Sequence, residues 1–333
     1  MNKILSVVVP AYNAENYIRR NLDSMCIEKE DMEKLEILVV DDGGTDATKD
    51  ITREYERNYP GIISFHHKEN GGHGSVINYG IRHATGKYFK VVDGDDWLNK
   101  MELKSFLKLL EERDEDIIAS DYQCIQDETW LPLRLMKATE DNNKYTKSGL
   151  ISEGFVDKVI KMHSLTIKTA ILKEMNRAID EHCFYVDAEY ITYPIPFADS
   201  VYYDRRNVYM YRLGRDGQSM DIKSMQRNRK QHMQVMKSLE QFYSELPELP
   251  EKKKHYIERC IAQIVENQFQ IDISRGNEPG VTDELRAWDQ ELKKNYPGIY
   301  NSTDRKSITL LRMTNYRILP IGKWIYDRVK GQK

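Results

Sequence analysis

Asp93-Gly94-Asp95-Asp96 crowds three carboxylates around one glycine. Crowded carboxylates repel one another unless something positive sits between them. Asp93 and Asp95 are two residues apart, so on a continuing strand they share a face. Gly94 lets the backbone turn sharply and come close to a ligand. Hard oxygen ligands at a strand end suit Mg2+ or Mn2+, held partly by the protein and partly by a ligand's phosphates. The structural alternative is a polar turn in which Asp96 is the N-cap of a helix over Leu98–Leu110.

The elements around this group predict where it lies. Lys87–Val92 reads as a strand running into the carboxylates. Ile4–Val9 is a nearly continuous apolar run, as in a strand covered on both faces, and Pro10-Ala11-Tyr12-Asn13 ends it. Glu15–Met25 has helical spacing, with Tyr17, Ile18, Leu22 and Met25 as its buried stripe. Leu35–Val40 is a second strand, closed by Asp41-Asp42-Gly43-Gly44, and Thr45 or Asp46 caps a helix through Tyr55. Ile62–His67 is a third strand. Asn70-Gly71-Gly72-His73-Gly74 turns into a helix over Ser75–His83, and Asp116–Ser120 is a further strand. Strands alternating with helices predict a parallel sheet. Ligands of such sheets bind beyond the C-terminal strand ends. Three of those ends carry Tyr12-Asn13, Asp41-Asp42 and Asp93-Gly94-Asp95, as a nucleotide-diphosphate site requires. No G-x-G-x-x-G follows the first strand and no G-x-x-x-x-G-K-[ST] occurs, which argues against a dehydrogenase and a P-loop NTPase.

Four segments, in order, resemble the family 2 glycosyltransferases: Val7–Asn13, Val39–Asp46, Asn70-Gly71-Gly72 through Asn78-Tyr79-Gly80, and Ala84–Tyr88 through Asp93–Trp97. The resemblance implies an inverting enzyme with the GT-A fold, a Rossmann-like mixed α/β sheet. It implies that Tyr12 and Asp41 or Asp42 contact the base and ribose of a nucleotide-sugar donor, a UDP-sugar. Asp93 would touch the ribose or an outer water, and Asp95 would hold the Mn2+ or Mg2+ that bridges the phosphates. Asp93 is the second metal candidate. Pro10, Asn70, Gly72 and Arg212 complete the implied donor site. Gly44 stands where many relatives have serine. Ile77 stands where many have an arginine that reaches the base, which leaves the base open. The family's general base maps onto Asp187, with Val186 in place of a common glutamate and Glu189 in reserve. The structural alternative for Asp187 is an N-cap.

Residues 121–149 read as a long polar loop. His163–Ile167 reads as a strand before a helix over Thr169–Met175. Tyr202-Tyr203-Asp204 and Val208–Arg212 form another strand-like stretch. Arg212 or Arg215 could neutralise a departing diphosphate, or both could be surface arginines. A catalytic domain is expected over residues 1–220, with a donor half to about 120 and an acceptor half beyond it. Stripes in Met225–Leu246, Tyr256–Ile273 and around Trp288 predict a helical domain over residues 221–333. Its end, Arg305–Lys333, interleaves basic residues with aliphatic ones and Trp324. That pattern suits an anionic membrane surface, or a helix packed on the domain or on a second copy of the chain.

With 50 Lys and Arg against 53 Asp and Glu, no basic field points to nucleic acid. Four separate cysteines show no C-x-x-C pair, as suits a reducing compartment. With no signal-peptide pattern and no run long enough to span a bilayer, the expectation is a cytoplasmic protein, peripheral on the membrane if the tail binds there. The expected activity is sugar transfer to a glycan or lipid-linked acceptor. The rivals are a non-catalytic sugar-nucleotide- or glycan-binding module, and a nucleotidyltransferase. The second needs a glycine-rich basic loop where Pro10–Glu15 stands.

Overall fold

The computed structural model describes residues 3–214, 218, 221–276 and 278–320. The chain divides into two compact units, Met1–Asp216 and Gly217–Lys333.

In the first unit, β1 (Leu5–Ala11), β2 (Leu35–Asp41), β3 (Ile63–His67) and β4 (Tyr88–Val91) lie in the order β3-β2-β1-β4, all parallel. Between and after them run α1 (Ile18–Met25), α2 (Lys29–Met32), α3 (Thr48–Asn58), α4 (Gly72–His83) and α5 (Lys100–Glu112). Side chains alternate across a strand. Leu5, Val7 and Val9 therefore join one core with Ile18 and Leu22 of α1 and Leu103 and Phe106 of α5. Val8 points the other way, onto Gly80 of α4. This two-sided cover is what the unbroken apolar run of β1 anticipates.

Beyond β4 the sheet is mixed, which corrects the parallel expectation. The further strands are β5 (Trp97–Leu98), β6 (Ile117–Gln126), β7 (Pro132–Met136), β8 (Ser148–Leu150), β9 (Leu165–Lys168) and β10 (Ser200–Leu213). The order continues β4-β9-β6-β10-β5. β9 runs antiparallel to both β4 and β6, filling the slot a simple crossover would have given to β6. Its Leu165, Thr166 and Ile167 are buried. The expected long loop is in large part strand: β6 continues to Gln126 and returns as β7, and β8 pairs with β10. Pro132, Asp141 and Asn142-Asn143 give that stretch the composition of a loop and hide its pairing.

Two shifts of boundary matter for chemistry. α4 begins at Gly72, so Gly72, His73 and Gly74 form its first turn. α5 begins at Lys100 and is capped by Asn99, whose side chain accepts the Met101 N–H at 3.2 Å. Asp96 is therefore not the cap. The remaining helices of this unit are α6 (Thr169–Glu174) and α7 (Asp187–Thr192).

The second unit is helical: α8 (Ile222–Arg227), α9 (Arg229–Ser244), α10 (Glu251–Ser274), α11 (Val281–Asn295), α12 (Pro297–Ser302) and α13 (Lys306–Met313). The expected stripes are its core, with Val235, Met236 and Leu239 facing Ile257, Cys260 and Ile264 as buried residues of α9 and α10. Buried His232 meets Gln268 Oε1 at 2.9 Å. The described start of the basic tail is not a free cationic face. Arg312 pairs with Asp289 at 2.8 Å, Arg305 pairs with Glu266, and Ile308, Leu311 and Leu319 are buried. Residues 321–333, with Trp324 and Ile325, lie outside the described residues, as does Arg215. No helix among the described residues is long and apolar enough to cross a membrane.

A β-carbon at Gly80 would lie 2.4 Å from Val8 Cγ2, so α4 sits on β1 at glycine distance. Gly80→Ala is expected to cost about 1–3 kcal/mol through overpacking. A lower melting temperature by calorimetry is the check.

Candidate functional site

The site grows from the C-terminal ends of β1, β2 and β4. At the end of β1, Tyr12 is 58% exposed. Asn13 adopts a left-handed φ of 48°, which asparagine tolerates, and its Oδ1 accepts the Thr45 N–H at 2.9 Å. The β1 and β2 loops are thereby tied together.

The two carboxylates at the end of β2 are both buried and do different work. Asp41 accepts the Gly44 N–H at 3.1 Å and meets His67 Nδ1 at 2.7 Å. Asp42 accepts from Lys68 Nζ at 2.7 Å, Gly71 N–H at 2.9 Å and Gly72 N–H at 2.8 Å, with the Ser75 hydroxyl at 3.3 Å. A charge needs this many donors to be held out of water. The Asp42 backbone carbonyl takes the Asn70 side chain at 2.9 Å. Asp42 thus shapes the glycine turn that opens α4, and Asn70 and Gly72 are part of that same turn. Gly72 has a φ of 82°, a conformation only glycine adopts freely.

The Asp93–Asp96 loop is clamped from three sides. Gly94 N–H donates to the Pro10 carbonyl at 3.1 Å, and a β-carbon on Gly94 would meet that oxygen at 2.7 Å. Asn21 of α1 donates to the Asp93 and Asp96 carbonyls at 3.0 and 2.9 Å. Buried Asp96 accepts the Tyr209 hydroxyl at 2.6 Å and the Arg212 N–H at 2.8 Å, both from β10. Burial, with Asp95 and Asp93 adding their charge, pushes the Asp96 carboxyl well above the usual range. Asp93 and Asp95 are only partly buried. Asp93 Oδ1 meets His73 Nε2 at 2.8 Å.

Asp187 is the first residue of α7. It is exposed by surface area, yet protein crowds around it, as at the floor of an open inlet. Crowding raises its carboxyl; Lys161 and His73 pull it down, and Asp93 pushes it up. Glu189, the reserve base, is fully buried and accepts the Asp180 N–H at 2.8 Å and the Tyr193 hydroxyl at 3.0 Å. Burial pushes it up to about 7. It reaches no acceptor and instead pins the 180 loop. Arg212 is buried, paired with Asp127, with its guanidinium 4.1 Å from the Tyr17 ring centre.

Among the described residues, Asp93, Asp96 and His163 could gather around a cation, with ligand atoms within 4.8 Å of one another. His163 sits among Tyr122, Tyr209 and Tyr211. Its Nδ1 is buried with no hydrogen-bond partner among the described residues, and burial pushes the ring down to about 4. A neutral imidazole beside carboxylate oxygens is a donor set that Mn2+ accepts. Asp95 lies on the same loop but outside this trio.

The structure sets His73 against Asp93, and the ring also feels the charge of Asp187 and Asp95. It gathers Asp42, Asn70 and Gly72 in the neighbouring turn. Sequence reasoning missed His73, His163, Tyr209 and Lys90. Lys90 is fully buried in β4 and donates to the His163 and Leu165 carbonyls at 2.8 and 3.1 Å. A lysine inside an apolar strand was the available signal for it. A separate cavity of about 860 Å³, lined by Lys3, Met32, Arg57 and Tyr59, opens at the other end of the strands and holds none of these carboxylates.

Comparison with known proteins places this geometry. The chain is 34% identical over 152 residues to an uncharacterized glycosyltransferase, MG025, of Mycoplasma genitalium, covering 45% of this chain and 47% of that one. It is 27% identical over 225 residues to the minor teichoic acid biosynthesis protein GgaB of Bacillus subtilis, covering 66% of this chain and 24% of that one. The chain thus spans about half the length of the first relative and a quarter of the second. Among solved structures, S. aureus TarS 1-349 in complex with UDP-GlcNAc superposes with a TM-score of 0.69 at 19% identity, over 98% of this chain and 92% of that one. That likeness shows the fold: the GT-A mixed sheet, followed by a helical C-terminal region. Residues 6–179, which carry every strand end and glycine turn described above, match the family described as Glycosyl transferase family 2, and the chain belongs to that family.

Proposed function

We propose that the chain transfers a sugar, with inversion, from a UDP-sugar to a hydroxyl of a cell-wall glycopolymer. The observation that carries this reading is the gathering of acidic strand ends at one edge of the sheet, Asp41-Asp42 after β2 and the partly exposed Asp93 and Asp95 after β4, on strands that flank β1 in parallel. UDP is suggested by the UDP-GlcNAc complex of TarS, and the polymer class by the teichoic acid role in the name of GgaB.

In this reading Tyr12 and Asp41 lie against the base and ribose, while Asp42, Asn70 and Gly72 shape the turn beside the diphosphate. Asp187 takes the proton of the acceptor hydroxyl. The acceptor oxygen bonds to the anomeric carbon as the bond from that carbon to the diphosphate oxygen breaks. A carboxyl held above its ordinary range is a better base once ionised. Asp95 and Asp93, with His163 at hand, would hold a divalent cation, which supplies charge to the departing diphosphate without proton transfer. Arg212 acts here by fixing Asp96 and the hairpin at Trp130 rather than as a mobile cation.

A panel of sugar nucleotides with Mn2+, read as slow hydrolysis and thermal stabilisation, tests the donor. UDP-sugars are expected to respond, and an unresponsive panel counts against a donor site. Asp95→Asn is expected to abolish transfer and most cation-dependent donor binding; full activity in it, or indifference to a chelator, removes the cation from this reading.

Asp187→Asn is expected to keep donor affinity and lower turnover about 10²–10⁴-fold. The wild-type rate should fall as the pH drops through the raised pKa of Asp187. Glu189→Gln should retain turnover and change the pH dependence of stability instead. An unperturbed glutamate titrates near 4.3, and folding raises Glu189 to about 7, so the folded state holds the extra proton between those values. Its contribution is fully present below about 4.3 and is lost as the pH rises toward 7. The variant's stability curve is expected to be flatter in that window, measured by denaturant unfolding. A dead Glu189→Gln beside an active Asp187→Asn would exchange the two roles.

A further inference from the structure

His73 has no role in the reading above, yet its ring meets the Asp93 carboxylate at the acidic end of β4. Its backbone is wedged. Gly71 accepts the His182 N–H at 2.5 Å, and a β-carbon at Gly74 would collide with the Asp180 carbonyl at 2.1 Å. The turn that carries it is held from below by Asp42, through the Gly71 and Gly72 N–H groups. A ring on so constrained a turn has one place to go, and it goes to Asp93, with Nε2 2.8 Å from Oδ1. About a quarter of each side chain is exposed, 28% for His73 and 25% for Asp93, so the pair meets the solvent of the inlet. Removing a group that orients a metal-ligating carboxylate typically costs about 10–100-fold in affinity.

We propose that His73 is a positioning residue of the donor site, fixing the Asp93 carboxylate in the single orientation in which it meets the donor diphosphate and its cation. The proposal rests on the donor reading above. Donor affinity in this chain is thereby set partly by the first turn of α4. Removing the ring lets the Asp93 carboxylate turn toward solvent, so the donor must reorder it on binding. A glutamine at this position presents an amide N–H at nearly the reach of Nε2 and should hold the same oxygen.

The test measures UDP binding by calorimetry in the presence of Mn2+, together with melting temperature, for the wild-type chain and its variants. His73→Ala is expected to weaken UDP binding about tenfold to a hundredfold, the scale of a lost hydrogen bond to a charged group. Its melting temperature should stay near that of the wild type, and His73→Gln should bind close to wild type. In an Asp93→Asn background, His73→Ala should add no further loss. Unchanged UDP affinity in His73→Ala overturns the proposal. So does an equal loss in His73→Ala and His73→Gln with a lowered melting temperature, which marks a merely structural residue. Asp95→Asn separates the two levels. If it loses UDP while His73→Ala does not, only the His73 proposal fails. If the wild type takes up no UDP, the donor reading fails and the His73 proposal with it.

Discussion

Asp96 is a carboxylate with 2% of its surface in water, and the active edge of the sheet hangs on how it is satisfied. Isolating such a charge from water costs several kcal/mol, by order of magnitude, unless donors replace the lost hydration. The donors are the Tyr209 hydroxyl and the Arg212 N–H, more than a hundred residues away in sequence. The Tyr209 oxygen also accepts the Asp93 N–H at 3.2 Å, so one phenol serves both ends of the acidic loop. Asp93 and Asp95 ride on that loop between fixed points. Their spacing is therefore a property of the sheet and not of the local turn.

The same constraint explains why the sheet is mixed. Lys90 is buried in β4 with its ammonium against two carbonyls at the start of β9. Among the described residues no carboxylate bonds to it there, and burial lowers it to about 7. A buried lysine must find acceptors. β9, running antiparallel beside β4, brings the His163 and Leu165 carbonyls to it and at the same time delivers the His163 ring to the acidic loop. A polar group in a strand core thus fixes both a strand neighbour and a site residue.

Around this frame the chain concentrates negative charge at one sheet edge. Asp41 and Asp42 are neutralised by donors within the protein, from His67, Lys68 and backbone N–H groups. Asp93, Asp95 and Asp187 keep contact with solvent, with His73 meeting Asp93 and Lys161 acting on Asp187. Solvent-facing carboxylates at a strand end suit a cation or a cation-bound phosphate.

Much of this was legible without coordinates. Apolar runs ending in Tyr12-Asn13, Asp41-Asp42 and Asp93-Gly94-Asp95 dictated parallel strands with polar C-terminal ends, because continuous burial and strand-end ligands follow from local pattern. The stripes of α9 and α10 were legible for the same reason, and Asp187 at a helix start through the family resemblance. What no local pattern could tell is which partner each polar group finds. The loss of Asp96 to Tyr209 and Arg212, which leaves Asn99 as the α5 cap, the insertion of β9 and the burial of Arg212 beside Asp127 are each decided by contacts between residues far apart in sequence. His73 shows the limit most clearly. In the sequence it is one residue in a glycine-rich turn; it becomes the partner of Asp93 only when α4 packs on β1 and the acidic loop is fixed by β10, because electrostatic partners are set by distance in space.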